Sequence, residues 1–229
     1  MGAMRSNTPT PLESAKLFVG RLIRRAGRLA AVLLLGALAT NAAHAATKTL
    51  LFFGDSLTAG YGLADPSEAY PALIQKKIDD AGLAWKVVNA GLSGETTAGG
   101  LRRLDWILRQ PVDIFVLELG GNDGLRGLAP DVTRANLKTM IERIRAKQPR
   151  VAIVLAGMQV PTNMGRDYAE AFAKIYPSLA EAERIALIPF LLAGVGGIPE
   201  LNQPDGIHPT ATGHRMVAET VWKTIKPLL

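Results

Sequence analysis

Leu50-Leu51-Phe52-Phe53-Gly54-Asp55-Ser56-Leu57 is an apolar run that breaks at a glycine and delivers a serine. Four large apolar residues in a row are typical of a buried strand, and Gly54 marks the place where that strand ends. A serine hydroxyl is almost fully protonated near neutral pH and attacks carbonyl groups poorly unless a base lies beside it. The stretch therefore predicts a buried first strand that carries a potential nucleophile at its end.

Four more short apolar runs follow, separated by segments of helical pattern. Runs that are apolar on both faces are typical of buried parallel strands, which need crossover connections. The predicted strands are residues 50–53, 85–88, 114–119, 151–155 and 185–188. This alternation predicts an α/β fold, a three-layer α/β/α sandwich around a five-stranded parallel sheet.

Apolar residues at helical spacing predict the crossover helices between the strands. Pro130 begins one of them, and Pro209 would occupy the favourable first position of the last one. The predicted helices cover residues 71–81, 130–144, 167–182 and 209–225.

Polar and glycine-rich segments follow the first three predicted strands. Ser56 follows the first strand, residues 89–94 (NAGLSG) the second and residues 120–123 (GGND) the third. The carboxyl ends of parallel strands meet at one edge of a sheet, where ligands usually bind. We expect these segments and the loop before the last helix to form one crevice.

An aspartate and a histidine, three residues apart, stand in the loop before the last predicted helix. His208 would be the base that activates Ser56, because the pKa of histidine suits that role. The Asp205 carboxylate can reach the far ring nitrogen and hold the useful tautomer. His214 is the other histidine after residue 45, but it lies within the predicted helix and faces a different direction. We therefore predict Ser56 as nucleophile, His208 as base and Asp205 as the residue that orients the base.

Acyl transfer also needs hydrogen-bond donors for the oxyanion that develops on the attacked carbonyl. The backbone N–H groups of Ser56 and Gly94 and the side-chain amide of Asn122 are the three candidates. Glycine at position 94 would let the backbone approach a substrate closely. Taken alone, Asn122 and Asp205 are better explained as helix caps, but the order of all the motifs along the chain favours the catalytic interpretation.

Six apolar residues follow the predicted strand ends and are candidates for the wall of an acyl pocket. Ordinary packing at the edge of the core explains them equally well. They are Leu57, Leu125, Leu128, Met158, Val160 and Pro161. Asp205 and His208 could also ligate a metal ion, but two ligands without a further histidine or cysteine make a weak site, so no metal is expected.

The first 45 residues have the pattern of an export signal. Four arginines precede an apolar stretch of 12 residues, 29–40, which is followed by the A-x-A sequence Ala43-His44-Ala45. The stretch is too short to span a bilayer comfortably, and an uncleaved anchor is the alternative. We expect cleavage after Ala45, a single domain over residues 46–229, and a periplasmic or secreted protein with no stable membrane anchor.

The charge and the cysteine content of the chain argue against several classes of function. Residues 1–45 hold six of the 26 Lys and Arg residues and one of the 20 Asp and Glu residues, which leaves 20 basic against 19 acidic residues in the rest. No basic stripe with interleaved aromatic residues remains, so nucleic acid is not an expected partner. The chain has no cysteine, which excludes disulfides, a thiolate nucleophile and cysteine-ligated zinc.

Four of these motifs, in this order, resemble the sequence blocks of the GDSL, or SGNH, hydrolase family. They are residues 54–57 (GDSL), Gly94, residues 120–123 (GGND) and residues 205–208 (DGIH). Residues 54–62 (GDSLTAGYG), 118–127 (ELGGNDGLRG) and 205–209 (DGIHP) are similar, more narrowly, to an exported branch of acyl-thioesterases, lysophospholipases and arylesterases.

The resemblance implies a flavodoxin-like sheet of strand order 2-1-3-4-5 and the nucleophile, base, orienting and oxyanion roles given above. It implies hydrolysis of carboxylic esters and thioesters, with aryl esters and lysophospholipids among them, and no metal or organic cofactor. The expected partner is a small ester or thioester substrate, and the protein is expected to be a monomer. The alternatives are a carbohydrate O-deacetylase of the same family and a non-catalytic binding module with the same fold.

Overall fold

One sheet of five parallel strands forms the framework of residues 47–229, the part of the chain that the computed structural model describes. The strands are β1 (Lys48–Gly54), β2 (Trp85–Gly91), β3 (Ile114–Glu118), β4 (Ala152–Ala156) and β5 (Ala186–Ile188). They pair in the order β2-β1-β3-β4-β5, which confirms the predicted topology. The predicted signal segment and its cleavage site, residues 1–45, lie outside the described residues.

Helices flank the sheet in two packed groups. The α-helices are α1 (Ser56–Ala59), α2 (Tyr70–Asp80), α3 (Thr97–Ile107), α4 (Gly121–Leu125), α5 (Pro130–Lys147), α6 (Arg166–Glu183) and α7 (Ala211–Ile225). Short 3₁₀ turns lie at Pro66–Glu68, Thr162–Met164, Pro199–Leu201 and Lys226–Leu228. Helix α2 packs against α7, whereas α5 packs against both α3 and α6. Within residues 47–229, none of the helices has the length and apolar character that a membrane crossing requires.

Strand β1 lies between β2 and β3 and carries the most deeply buried apolar run. Leu50, Phe52 and Phe53 are fully buried. A strand paired on both edges and covered on both faces has its backbone satisfied and its side chains in the core, so an uninterrupted apolar run is stable there. In the same register Gly54 pairs with Glu118, so the carboxyl ends of β1 and β3 lie side by side.

The last helix begins two residues later than the sequence predicts. Helix α7 starts at Ala211, and the hydroxyl of Thr210 caps it by accepting a hydrogen bond from the N–H of Gly213 at 3.3 Å. Pro209 does not occupy the first helical position and instead forms an antiparallel bridge with Asn202. The helix begins after Thr210 because the side chain of this residue can accept a hydrogen bond from a free N–H of the first turn.

Helix α3 was not predicted, because Gly99 and Gly100 in its first turn lower the helix propensity of this segment. Gly100 is buried, and a side chain at this position would overlap Leu119. The helix approaches the sheet so closely that a Cβ at this position would displace the end of the Leu119 side chain, and this close packing outweighs the local preference. The hydroxyl of Thr96 caps the helix by accepting a hydrogen bond from the N–H of Gly99 at 3.2 Å.

Candidate active site

Ser56 stands just past the carboxyl end of β1, where it begins the short helix α1. Asp55 caps this helix, because its Oδ1 accepts a hydrogen bond from the N–H of Leu57 at 3.0 Å. The helix ends at Gly60, which has a φ of +78° in the left-handed region that favours glycine. The sharp change from strand to helix therefore presents Ser56 at the edge of the sheet.

His208 lies between Ser56 and Asp205. Its Nε2 is 2.9 Å from the Oγ of Ser56, and its Nδ1 is 2.7 Å from the Oδ2 of Asp205. These three side chains come from both ends of the described chain, and Ser56 and His208 are separated by 152 positions. The structure thus brings together the three residues that the sequence singles out as nucleophile, base and orienting group.

The charge on Asp205 decides which tautomer of His208 fits. Burial alone would raise the pKa of Asp205, but hydrogen bonds from the backbone and ring of His208 and from the backbone of Ile207 lower this pKa to about 2. An ionised carboxylate only accepts hydrogen bonds, so Nδ1 of His208 carries the proton. Nε2 is then free to accept the hydroxyl proton of Ser56.

A tight turn holds Asp205 beside His208. The Oδ1 of Asp205 accepts hydrogen bonds from the N–H groups of Ile207 and His208 at 2.9 and 3.0 Å. Gly206 has a φ of +71°, and the N–H of Gln203 closes the turn on the carbonyl of His208 at 2.7 Å. The spacing of three residues between aspartate and histidine therefore reflects the geometry of this turn.

A cavity of about 400 Å³ opens beside Ser56. Ser56, Asn122 and His208 lie in its wall, together with five of the six apolar residues predicted for an acyl pocket. Those five are Leu57, Leu125, Met158, Val160 and Pro161. The carboxyl edge of the sheet thus combines a polar group of side chains with an apolar space of ligand size.

Leu128 lies outside the cavity wall, so the prediction for this residue is corrected. After α4 the chain turns at Gly127, which has a φ of +67°. The N–H of Leu128 returns to the carbonyl of Asp123 at 3.0 Å, and the carbonyl of Leu128 accepts a hydrogen bond from the hydroxyl of Tyr168 at 2.8 Å. This turn carries the backbone past the cavity.

Sequence reasoning missed the part of the wall that follows β5. This part consists of Phe190, Leu192, Gly196 and Gly197, and Gln159 and Ile207 also line the cavity. Residues 189–197, which follow β5, have no titratable side chain, so no pattern of catalytic residues points to this segment. It nevertheless leaves the same carboxyl edge as the other loops, and the rule that located Ser56 would have located it as well.

Asn122 is placed as a donor and not as a helix cap. Gly120 takes the N-cap position of α4, and Asn122 lies within the helix. The Nδ2 of Asn122 donates to the Oδ2 of Asp55 at 3.1 Å and to the carbonyl of Glu95 at 3.0 Å. Both hydrogens of this amide therefore have a partner, and an oxyanion would have to share one of them.

Gly94 lies in the loop after β2, next to the carbonyl of Glu95 that Asn122 contacts. It is not part of the cavity wall. Its φ is +78°, and a Cβ at this position would meet no heavy atom within 4 Å. The backbone conformation, and not crowding by neighbouring protein atoms, therefore requires glycine here. Within residues 47–229, the N–H groups of Ser56 and Gly94 donate to no backbone carbonyl.

Buried carboxyl groups order the loops around Ser56. The Oε2 of Glu118 accepts hydrogen bonds from the N–H of Asp55 at 3.1 Å and from the hydroxyl of Thr58 at 2.6 Å. Burial, followed by the charge of Asp55, raises the pKa of Glu118 well above its ordinary value. Burial also raises the pKa of Asp55 to about 6. Among residues 47–229, no three His, Cys, Asp or Glu side chains are grouped as ligands for a metal ion.

His214 is buried in α7 and does not reach the cavity. Its Nδ1 accepts a hydrogen bond from the N–H of Tyr70 at 3.3 Å, and its ring stacks on that of Tyr70 with a centroid distance of 6.3 Å. Burial and, to a smaller extent, the charge of His208 lower the pKa of His214 from 6.5 to about 4. His214 is therefore a neutral residue of the core.

We expect His214 to make the folded state less stable as the pH falls from about 6.5 to about 4. In this range the unfolded chain binds a proton at His214 and the folded chain does not, so at most about 3 kcal/mol of unfolding free energy is lost. Urea unfolding at several pH values measures this loss. In His214→Asn the amide oxygen replaces Nδ1 as acceptor, and the slope should be shallower than in the wild type.

The comparison with His214→Asn is needed because protonation of Asp55 changes the unfolding free energy with pH in the opposite direction to protonation of His214. Its pKa is higher in the folded state, so its contribution to stability rises as the pH falls from about 6. This contribution is common to both proteins and cancels in their difference. Parallel curves for the two proteins would show that His214 is not the neutral core residue described here.

Known proteins similar to this chain share the whole site region. The GDSL-like Lipase/Acylhydrolase family model matches residues 52–216. Esterase TesA of Pseudomonas aeruginosa is 47% identical over 187 residues, which is 81% of this chain and 92% of that protein. Thioesterase 1/protease 1/lysophospholipase L1 of Escherichia coli K12 is 41% identical over 186 residues, which is 81% of this chain and 86% of that protein.

The fold is shared with a solved structure as well. The crystal structure of TesA superposes with a TM-score of 0.76 at 46% identity and covers 80% of this chain and 100% of its own.

Proposed function

This chain belongs to the GDSL-like lipase/acylhydrolase family, and on that premise we propose that it is a serine hydrolase that cleaves carboxylic esters and thioesters through an acyl-enzyme intermediate on Ser56. One observation carries the proposal. His208 is 2.9 Å from the Oγ of Ser56 on one side and 2.7 Å from the Oδ2 of Asp205 on the other. A hydroxyl in contact with an oriented base is the arrangement that nucleophilic catalysis requires.

The reaction proceeds in two halves. The Oγ of Ser56 attacks the carbonyl carbon of the substrate while Nε2 of His208 takes up the hydroxyl proton. The protonated imidazole, which faces the carboxylate of Asp205, then gives this proton to the departing alcohol or thiol. In the second half a water molecule attacks the acyl-enzyme by the same route, and Ser56 regains its proton.

The oxyanion of each tetrahedral intermediate needs donors that are already in place. We assign this role to the N–H groups of Ser56 and Gly94 and to the Nδ2 of Asn122. Asn122 is oriented from two sides, by Asp55 and by the carbonyl of Glu95. Because these partners hold the amide in place before the substrate arrives, the donor requires little reorganisation when the charge develops.

The cavity supports medium acyl or aryl groups as substrates. Its wall is mainly apolar, and Phe190 provides an aromatic surface beside the aliphatic side chains of Leu125, Val160 and Ile207. Such a wall favours alkyl or aryl groups over a sugar ring, which presents hydroxyl groups on most sides. This is the reason to prefer acyl and aryl esters over acetylated carbohydrates.

Two experiments test this function. A fluorophosphonate probe should label the wild type on Ser56 and leave Ser56→Ala unlabelled, whereas an unlabelled, folded wild type would indicate a binding module. A panel of nitrophenyl esters, acyl-CoA thioesters, lysophospholipid and acetylated xylan should then show turnover of the first two classes. Turnover of acetylated xylan alone would identify a carbohydrate deacetylase.

We expect Asn122→Ala to lower kcat by on the order of 10²–10³ and to change KM little. The amide is assigned to charge that exists only in the transition state, so its loss should not weaken ground-state binding. Steady-state kinetics with a nitrophenyl ester separate the two constants. An unchanged kcat with a raised KM would move Asn122 to substrate binding.

Gly94→Ala should also lower kcat, because the backbone must shift to relieve the positive φ and moves its N–H with it. Gly82→Ala is the matched control. Gly82 has a φ of +67° and, like Gly94, has room for a Cβ with no heavy atom within 4 Å, but it lies at the turn before β2, away from the cavity. Both variants should be less stable than the wild type, but only Gly94→Ala should have a lower kcat. If the two variants have the same kcat, Gly94 does not belong to the oxyanion site.

We further propose that the protein is exported, because residues 1–45 combine a basic segment, an apolar stretch and an A-x-A site. Mass spectrometry of the exported protein should find Ala46 as the first residue. Ala45→Arg should block processing, since the site requires small residues. An intact leader on the exported wild type would contradict the proposed soluble periplasmic or secreted form.

A further inference from the structure

The aromatic ring of Tyr61 lies against the imidazole ring of His208, and Tyr61 has no part in the proposed catalytic triad or oxyanion site. The two ring centroids are 4.6 Å apart, and the ring planes are inclined by 45°. Tyr61 is not in the wall of the cavity, and 53% of its surface is exposed. Its half-exposed ring therefore lies against the imidazole in a tilted arrangement, while the two ring nitrogens of His208 contact Asp205 and Ser56.

The backbone of Tyr61 is fixed relative to both catalytic loops. Its N–H donates to the carbonyl of Ser56 at 3.0 Å. The side-chain amide of Gln203 donates to the carbonyl of Tyr61 at 2.7 Å and to the carbonyl of Pro209 at 3.1 Å. One amide thus ties the segment after the nucleophile to the segment that carries the base.

Tyr61 is half exposed although its backbone is held in place on both sides. Large aromatic side chains gain most from burial, and Tyr61 buries only about half of its surface. An aromatic ring interacts favourably with a cation over its face. In the proposed mechanism the imidazole of His208 gains a positive charge when it takes up the proton of Ser56.

We propose that Tyr61 is a positioning residue for the base: its ring keeps the His208 imidazole in line between Asp205 and Ser56 and favours the imidazolium of the transition state. The inference rests on the proposed function, because it assigns Tyr61 to the same site. The aromatic ring is the active part, and the phenolic hydroxyl is not required. A displacement of a catalytic group by about 1 Å can slow a reaction by about 10²-fold.

The test compares three variants of the full-length protein. Tyr61→Leu removes the aromatic face, and kcat for a nitrophenyl ester should fall by about tenfold while KM stays within about twofold. Tyr61→Phe keeps the face and should retain kcat within about twofold. Trp106→Leu is the matched control, because Trp106 is another exposed aromatic residue that lies outside the cavity wall, and its loss should leave both constants unchanged.

Proton NMR gives a second readout that a merely structural role would not change. The Nδ1 proton shared by His208 and Asp205 should give a downfield resonance in the wild type and Tyr61→Phe, and this resonance should broaden in Tyr61→Leu. Near-ultraviolet circular dichroism verifies folding. If Tyr61→Leu does not fold, Tyr61→Met supplies a flexible apolar side chain without an aromatic face, and the same results are expected of it.

Several outcomes would overturn the inference. Wild-type kcat in folded Tyr61→Leu would show that the ring does not act on the base. Equal losses in Tyr61→Phe and Tyr61→Leu would assign the effect to the hydroxyl, and a change in KM alone would assign it to substrate binding. Labelling by fluorophosphonate separates this inference from the proposed function: an unlabelled, inactive wild type contradicts the function, whereas a labelled wild type with fully active Tyr61→Leu contradicts only the role of Tyr61.

Discussion

Replacing His208 with alanine is expected to lower kcat by on the order of 10⁶, a loss as large as that expected of Ser56→Ala. Nε2 of His208 is the base that lies 2.9 Å from the hydroxyl of Ser56. Without it the hydroxyl keeps its proton at neutral pH and is a poor nucleophile. The decrease should appear in the hydrolysis of a nitrophenyl ester and in the rate of labelling by a fluorophosphonate, since both reactions need the activated serine.

His214→Asn is the matched control for this experiment. It replaces the second histidine of the described chain with an amide whose oxygen can still accept the hydrogen bond from Tyr70. Because His214 lies in the core and not in the cavity wall, kcat should remain close to that of the wild type. An inactive His214→Asn beside an active His208→Ala would overturn the proposed triad even if Ser56 is the nucleophile.

Replacing Asp205 with asparagine is expected to lower kcat by about 10⁴ while the fold is kept. The asparagine oxygen can still accept the two backbone N–H groups that Oδ1 of Asp205 accepts, so the turn remains closed. Its NH₂ group then faces Nδ1 of His208 and favours the tautomer that places the proton on Nε2. In this tautomer His208 cannot accept the proton of Ser56.

Asp65→Asn is the control for the loss of a carboxylate in a similar turn. The Oδ1 of Asp65 accepts the N–H of Ser67, two residues later, as the Oδ1 of Asp205 accepts that of Ile207. Asp65 is outside the cavity wall, so this variant should keep its activity. Thermal unfolding should show similar stability for both variants. Full activity in Asp205→Asn would mean that His208 needs no orienting carboxylate.

The sheet could be predicted from the sequence because its signals are local. Residues 50–53 form an uninterrupted apolar run that only a strand buried on both faces accommodates, and the structure places this run in β1 between two neighbours. Helix α3 escaped prediction for the opposite reason. Gly99 and Gly100 are poor helix formers, and the segment is helical because its packing on the sheet, where a Cβ at position 100 would run into Leu119, outweighs this local preference.

The candidate site also has parts that the sequence indicates and parts that it does not. Asp205 and His208 form a pair within one turn, so their short spacing already allows the carboxylate to reach the ring. Leu128 and Phe190 show where such reasoning ends: Leu128 has the right character and leaves the cavity through a backbone turn, whereas Phe190 lines the cavity from a segment with no chemical signal.

The sequence by itself determined the alternation of strands and helices, the apolar run of β1 and the residues available as nucleophile, base and orienting carboxylate, because these depend on side-chain chemistry and short-range spacing. Only the tertiary structure decided that Ser56 and His208, 152 positions apart, meet at 2.9 Å. It also decided that Asn122 is held by Asp55 and the carbonyl of Glu95, and that the ring of Tyr61 lies against that of His208. Contacts of this kind arise when distant segments pack at one edge of the sheet, and no local pattern specifies their distances.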